Sequence, residues 1–162
     1  MKPSTQDLIT YLEQNDLKYA QRADNEDMVM LGFSTRRVSL SLLFVCEERT
    51  VQPLCRLPFR AQHAQLNAVK DYFTHVNYLL KSGCFELDMR DGEMNMRSAT
   101  FLSQERLSAE QAELLLLTVT HTVDEYISGL QDVLFRQETS RTAVNDNLAS
   151  LEAGVPPGVL VC

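Results

Sequence analysis

The sequence lacks several features that would indicate common functions. No apolar run approaches the roughly 20 residues that a membrane-spanning helix requires, although 44% of the 162 residues are hydrophobic. The 15 basic residues are outnumbered by 22 acidic ones, which gives a net charge of −7. A chain of this charge, with no basic cluster stronger than Arg36-Arg37, is a poor partner for nucleic acid. The composition therefore predicts a globular, acidic domain that binds neither membrane nor nucleic acid.

Residues that commonly build catalytic or metal sites are few and scattered. The four cysteines include no Cys-x-x-Cys pair, and the six glycines form no phosphate-binding loop. His63 and His75 do not have the four-residue spacing of paired helical ligands, and His121 falls beside Asp124 and Glu125 on a predicted solvated helix face. We therefore predict no metal, no cofactor and no catalytic residues.

The two ends of the sequence differ from its middle. Met1 to Asp7 contain no apolar segment of the kind that a signal peptide needs, so a cytoplasmic location is the expectation. After Arg136 the apolar periodicity fades, and turn-forming residues gather near the C-terminus. We predict one domain over residues 1–136 and a loosely structured tail over 137–162, with a short helix around Val144 to Leu151.

Hydrophobic periodicity predicts an α+β fold. Apolar residues at helical spacing predict three helices, at Pro3–Asn15, Ala61–Ser82 and Ser108–Arg136. Ser4 is a plausible N-cap of the first helix, and Ser108 with Gln111 forms a capping box that opens the third. Between the helices, a strand, a three-stranded meander and a hairpin are predicted within Leu17–Arg22, Met28–Phe59 and Phe85–Arg97. The order is α-β-β-β-β-α-β-β-α, with an antiparallel sheet packed against helices.

Turn positions set the predicted strand register. A turn at Ser34–Arg37 pairs Leu31 with Leu40, and a turn at Glu47–Thr50 pairs the next two strands. The second turn sets Leu42 against Cys55 and Phe44 against Pro53. Because Pro53 and Pro58 cannot donate to a ladder, the strand that holds them is predicted to be an edge strand or bulged.

The hairpin is organised around Asp91-Gly92, a dipeptide typical of a two-residue type I′ turn. Counted outward from this turn, Leu87 faces Met96 and Glu86 faces Arg97 as a cross-strand charge pair. The predicted apolar face of the hairpin comprises Phe85, Leu87, Met89, Met94 and Met96.

The side of the meander that faces away from the predicted core is half apolar. Such faces are usually covered by a helix of the same chain or by a second molecule. We predict a partner-binding surface made of Met28, Met30, Leu43, Val45, Leu54 and Arg56.

One stretch resembles a known family. It reads Val76-Asn77-x-x-Leu80-x-x-Gly83-x-Phe85-Glu86-Leu87-Asp88, followed by Asp91-Gly92 and Arg97. This pattern is similar to the YbjN-type bacterial domain, whose fold resembles the type III secretion chaperones. The resemblance implies a small, non-enzymatic and often dimeric domain with a chaperone-like or regulatory role. It transfers no catalytic residue.

Two functions remain open at this point. The first is a non-catalytic protein-binding module that forms a homodimer or docks a protein partner through the mixed sheet face or the helix Ala61–Ser82. The second is a small-molecule sensor or enzyme with a pocket between the last helix and the sheet, using His121 or Cys84. The absence of a catalytic constellation favours the first.

Overall fold

The computed structural model describes residues 1–136 and 142–146. Its helices are α1 (Pro3–Gln14), α2 (Leu66–Leu79) and α3 (Ala109–Gln131); a 3₁₀ turn at His63–Gln65 precedes α2, and a π-helical turn at Asp132–Arg136 extends α3. Its strands are β1 (Tyr19–Arg22), β2 (Asn25–Ser34), β3 (Ser39–Cys46), β4 (Thr50–Arg60), β5 (Cys84–Leu87), β6 (Glu93–Arg97) and β7 (Thr100–Phe101). The predicted α+β order is confirmed, with β7 as an addition.

All of these strands form one antiparallel sheet in the order β1-β2-β3-β4-β6-β5, and the short β7 pairs with β4. Burial alternates along the strands, as in β3, where Leu40, Leu42 and Phe44 are buried and Ser39 and Ser41 are exposed. The three helices contribute their apolar sides to the same core cluster as the buried strand residues. The described helices therefore cover one face of the sheet.

Aromatic side chains join α2 and α3 to the edge strand β5. Tyr72 is fully buried, and its hydroxyl donates a hydrogen bond of 2.7 Å to the carbonyl oxygen of Tyr126. Phe73 stacks on Phe85 at 5.0 Å between ring centroids, and Phe85 meets Tyr126 edge-on at 6.4 Å. Burial of each large apolar side chain stabilises the fold by about 1.5–3 kcal/mol.

The meander has one predicted register and one that is shifted. Between β3 and β4, Leu42 pairs with Cys55 and Phe44 with Pro53, as predicted. Between β2 and β3, however, Leu31 pairs with Leu42 rather than with Leu40. The correction arises because the turn lies one residue further along the chain than predicted: Ser34 pairs with Ser39, and the Thr35 amide donates a hydrogen bond of 2.9 Å to the Val38 carbonyl. A shift of two residues leaves every side chain on its predicted face.

The Asp91-Gly92 hairpin is also shifted by two residues, since Leu87 pairs with Met94. A type I′ turn needs positive φ at both central residues, but Gly92 has φ +73° and Asp91 is not among the residues with positive φ. The cause is tertiary packing: the Ala61 amide donates to the Gly92 carbonyl at 2.9 Å, and a Cβ at Gly92 would lie 2.0 Å from the Ala61 oxygen. Met89, predicted on the core face, lies in the longer loop and is 46% exposed.

The proline-containing strand β4 is an inner strand, which corrects the predicted edge position. The predicted bulge is present, because the β4–β6 register shifts between Arg56 and Arg60. Pro53 lies where β6 gives way to β7, and its carbonyl accepts a hydrogen bond of 3.2 Å from the Ser98 amide. The gap between two partner strands accommodates a residue that has no N–H to donate.

The predicted tail, 137–162, lies mostly outside the described residues, including Cys162 and the part of the predicted short helix beyond Asp146. Residues 142–146 are helical, and Ala143 and Val144 are buried in the main core cluster. Across the described ranges, no helix has the length and apolar character needed to cross a membrane.

Candidate functional site

The face of the sheet opposite the described helices carries all six residues of the predicted partner-binding surface, and we call it the reverse face. Direct pairing across six strands aligns one row on this face: Ala20, Met30, Leu43, Leu54, Arg97 and Cys84. Met28 lies opposite Val45 on one side of this row, and Ser41 lies opposite Arg56 on the other. The predicted residues therefore form one contiguous surface.

The β1–β4 half of the reverse face is apolar. Met30 is 42% exposed, and Met28, Leu43, Val45 and Leu54 are half-buried. A sheet with one solvated face normally alternates apolar residues inside with polar residues outside. Here the outward positions of β2, β3 and β4 break that rule at neighbouring sites.

The β4–β6–β5 half of the reverse face is charged. Arg97 donates to both carboxylate oxygens of Glu86, at 2.9 and 3.1 Å, so the predicted pair exists although Arg97 stands directly opposite Cys84. Arg56 pairs with Glu93 at 3.1 Å, and its side chain remains 65% exposed. Exposed pairs of this kind stabilise a fold by no more than about 1 kcal/mol, so their main effect is to orient these charges.

An unsatisfied amide lies within this charged half. Asn95 stands between Arg56 of β4 and Glu86 of β5 in the ladder. Its Oδ1 atom is buried and has no hydrogen-bond partner among the described residues. An unpaired buried acceptor costs about 1–3 kcal/mol of stability.

The main strand path of the sheet ends at β1 and β5, and β5 is protected. The Phe85 amide donates to Oδ1 of Asn77 at 2.7 Å, and Nδ2 of Asn77 donates to the Phe85 carbonyl at 2.9 Å. Asn77 thus occupies the outward backbone groups of Phe85, which would otherwise be free to pair with another strand.

A separate cleft lies where α3 passes the β2–β3 loop. It has a volume of about 390 Å³ and is lined by Phe33, Ser34, Thr35, Arg36, Thr120, His121 and Asp124. One carboxylate oxygen of Asp124, Oδ1, is buried without a hydrogen-bond partner among the described residues. The sequence predicts a pocket beside His121 on the last helix, but it does not predict the loop residues that line this cleft, because the loop and the helix are far apart along the chain. His121 is exposed, as predicted.

The cleft contains one of the two residues that were predicted as alternatives for a small-molecule or catalytic site. His121 lines it, but Cys84 lies on the distant edge strand β5. Burial raises the pKa of the Cys84 thiol, and burial also raises that of Cys55 to about 12. Raised thiol pKa values disfavour the thiolate that nucleophilic chemistry requires. Within residues 1–136 and 142–146, no three His, Cys, Asp or Glu side chains gather as metal ligands.

Comparison with known proteins shows to which family the chain belongs. The model of the YbjN family, described as a putative bacterial sensory transduction regulator, matches residues 4–132. The solved structures include "Crystal structure of YbjN, a putative transcription regulator from E. coli", which matches with a TM-score of 0.60 and 10% identity over 78% of this chain and 92% of that chain. A search of curated proteins finds no match. At 10% identity the structural likeness shows the fold alone, but the family model spans most of the sequence, and the chain therefore belongs to the YbjN family.

Proposed function

We propose that this protein is a non-catalytic regulator that works as a homodimer joined through the reverse face. The observation that carries the proposal is the apolar row Ala20, Met30, Leu43 and Leu54, which crosses four strands and is covered by no helix among the described residues. The regulatory part agrees with the family description. A cytoplasmic location and chaperone-like protein binding belong to the same proposal.

The apolar row supports an interface because burying such side chains is favourable. Contiguous apolar surface on a soluble domain usually marks a place where another molecule binds. Met28 and Met30 add flexible thioethers, which adapt to an opposing surface more readily than branched side chains do. Covering this row would therefore remove from water a patch that the described part of the chain leaves open.

The charged half supports a second copy of the chain as the partner. A two-fold interface brings a surface against itself, so the surface must be self-complementary. The reverse face carries both signs close together, with Arg56 and Arg97 beside Glu93 and Glu86. When two such faces meet antiparallel, basic groups of one copy can approach acidic groups of the other.

Size-exclusion chromatography with light scattering tests the proposal. We expect the wild-type protein to have twice the mass of one chain, and the double variant Met30→Asp, Leu43→Asp to have the mass of a single chain. The control is Leu114→Asp, which places one aspartate on α3 at a side chain that is 56% exposed. This control should remain dimeric. Circular dichroism should report the same fold for all three proteins.

Two results would contradict the proposed homodimer. A wild-type protein that is monomeric at every concentration would exclude it, and a foreign protein would then be the partner to seek for the reverse face. Dissociation caused by Leu114→Asp but not by the double variant would move the interface to the helical side of the molecule.

A further inference from the structure

The cleft between α3 and the β2–β3 loop lies apart from the reverse face. The proposed homodimer therefore does not use it. Thr120, His121 and Asp124 come from consecutive turns of α3, and Phe33 to Arg36 come from the end of β2 and the loop that follows. A volume of about 390 Å³ suits a small metabolite rather than a folded partner.

Asp124 is the unusual residue in this cleft. Other half-buried aspartates have their oxygens occupied: Asp7 accepts from Arg106 at 2.8 and 2.6 Å, and Asp27 accepts from Thr5 at 2.6 Å. Oδ1 of Asp124 is the one carboxylate oxygen in the described residues that is buried with no hydrogen-bond partner. Buried polar atoms are nearly always paired, so an unpaired one calls for a missing donor. An ionised carboxylate pairs best with a cationic N–H donor.

The loop side of the cleft offers the opposite charge. The guanidinium of Arg36 is exposed and has no ion-pair partner among the described residues. Arginine binds carboxylates through two parallel N–H donors. Ser34, Thr35, Thr120 and the aromatic Phe33 complete the lining. One small cleft thus combines an acceptor for a cation, a donor for an anion and an aromatic wall.

We propose that this cleft binds a zwitterionic metabolite of the α-amino-acid type. The ammonium group of the ligand donates to Asp124, its carboxylate accepts from Arg36, and an apolar side chain lies against Phe33. Because the ligand joins α3 to the β2–β3 loop, its binding rigidifies that end of the sheet. The proposal does not depend on dimerisation through the reverse face.

Isothermal titration calorimetry with three matched ligands tests the proposal. The probes are leucine, its decarboxylated analogue isoamylamine and its deaminated analogue isocaproate. We expect leucine to bind and each analogue, which lacks one charge, to bind at least tenfold more weakly. Failure of leucine and of a panel of other α-amino acids to bind at concentrations up to about 10 mM would overturn the proposal.

Single substitutions locate the site. Asp124→Asn and Arg36→Gln should each weaken leucine binding at least tenfold, whereas Arg37→Gln, on the same loop but outside the cleft, should not. The Met30→Asp, Leu43→Asp variant should bind leucine like the wild type, so failure of the docking proposal and failure of this one are distinguishable. Asp124→Asn could instead raise the melting temperature and leave leucine binding unchanged. The buried oxygen would then be an unsatisfied structural atom, and the proposed binding site would be wrong.

Discussion

At the scale of single residues, the start of α1 shows how a distant side chain can replace a local cap. The sequence suggests Ser4 as the N-cap, but the helix begins at Pro3 after Lys2, and the buried Ser4 hydroxyl has no hydrogen-bond partner in the described part of the chain. Asp27 of β2 acts instead, accepting from the Lys2 amide at 2.7 Å and from the Thr5 hydroxyl at 2.6 Å. A negative charge here also complements the helix dipole. Sequence spacing cannot reveal a helix cap that is supplied by a residue of a distant strand.

Asp27 gives a prediction for stability and pH. Although burial alone raises its pKa, the hydrogen bonds from Thr5 and Lys2 prevail and lower it from 3.8 to about 2. A folded-state pKa below the unfolded value means that the ionised group stabilises the fold above pH 3.8, and that this contribution is lost as the pH falls through 2. We expect Asp27→Asn to lower the free energy of unfolding by about 1–2 kcal/mol at pH 7.

Urea denaturation between pH 7 and pH 2.5 measures this effect. The difference in the free energy of unfolding between the wild type and Asp27→Asn should become smaller below pH 3.8. Asp71→Asn, on the exposed face of α2, serves as the control and should change stability little at any pH. A difference that stays constant down to pH 2.5 would mean that the charge of Asp27 does not matter.

At the scale of elements, the structure explains the motif by which the sequence resembles its family. Asn77 holds the outer edge of β5, and Gly83 turns the chain at φ +76°. A Cβ at Gly83 would lie 2.7 Å from the carbonyl oxygen of Arg97, and Phe85 fills the core between α2 and α3. The spacing of the motif therefore reflects the contacts that hold the end of α2 against the edge strand β5.

Asn77 supplies the second prediction. Asn77→Ala removes both hydrogen bonds to Phe85, and we expect the free energy of unfolding to fall by about 1–3 kcal/mol. Hydrogen exchange of the Phe85 amide should accelerate by more than global destabilisation explains. Asn67→Ala, at an exposed position near the start of the same helix α2, is the control and should leave that amide protected. Unchanged exchange at Phe85 would show that β5 needs no side-chain cap.

The two register shifts show that turn residues alone do not predict which residues pair across a hairpin. The periodicity predicts every major strand and the correct face of each, because a two-residue slip conserves alternation. It cannot predict loop length where a distant contact decides. At Gly92 that contact is the Ala61 backbone. In the meander the turn keeps its predicted length but lies one residue further along the chain, where the Thr35 amide donates to the Val38 carbonyl.

At the scale of the whole molecule, the two candidate surfaces differ in how visible they are from sequence. The reverse face could be predicted residue by residue, because side chains alternate between the two faces of a sheet. The residues on its outward positions are Met28, Met30, Leu43, Val45, Leu54 and Arg56. Its binding role remains a prediction. For the cleft, the sequence predicts a pocket beside His121 on the last helix but not its loop residues, because Arg36 and Asp124 come together only after α3 packs across the end of the sheet. Alternation along strands is local information, and helix placement is not.

The extent of the domain gives the last prediction. Periodicity predicts that the domain stops at residue 136, yet Ala143 is 0% exposed and Val144 is also buried in the main core. If these residues belong to the folded unit, Val144→Asp should lower the free energy of unfolding by about 2–4 kcal/mol, since it buries an unpaired charge. The neighbouring exposed position provides a matched control, and Asn145→Asp should cost less than about 0.5 kcal/mol. Thermal denaturation of the two variants decides the boundary: equal melting temperatures would end the domain at 136, whereas a selective loss for Val144→Asp would extend it to at least residue 146.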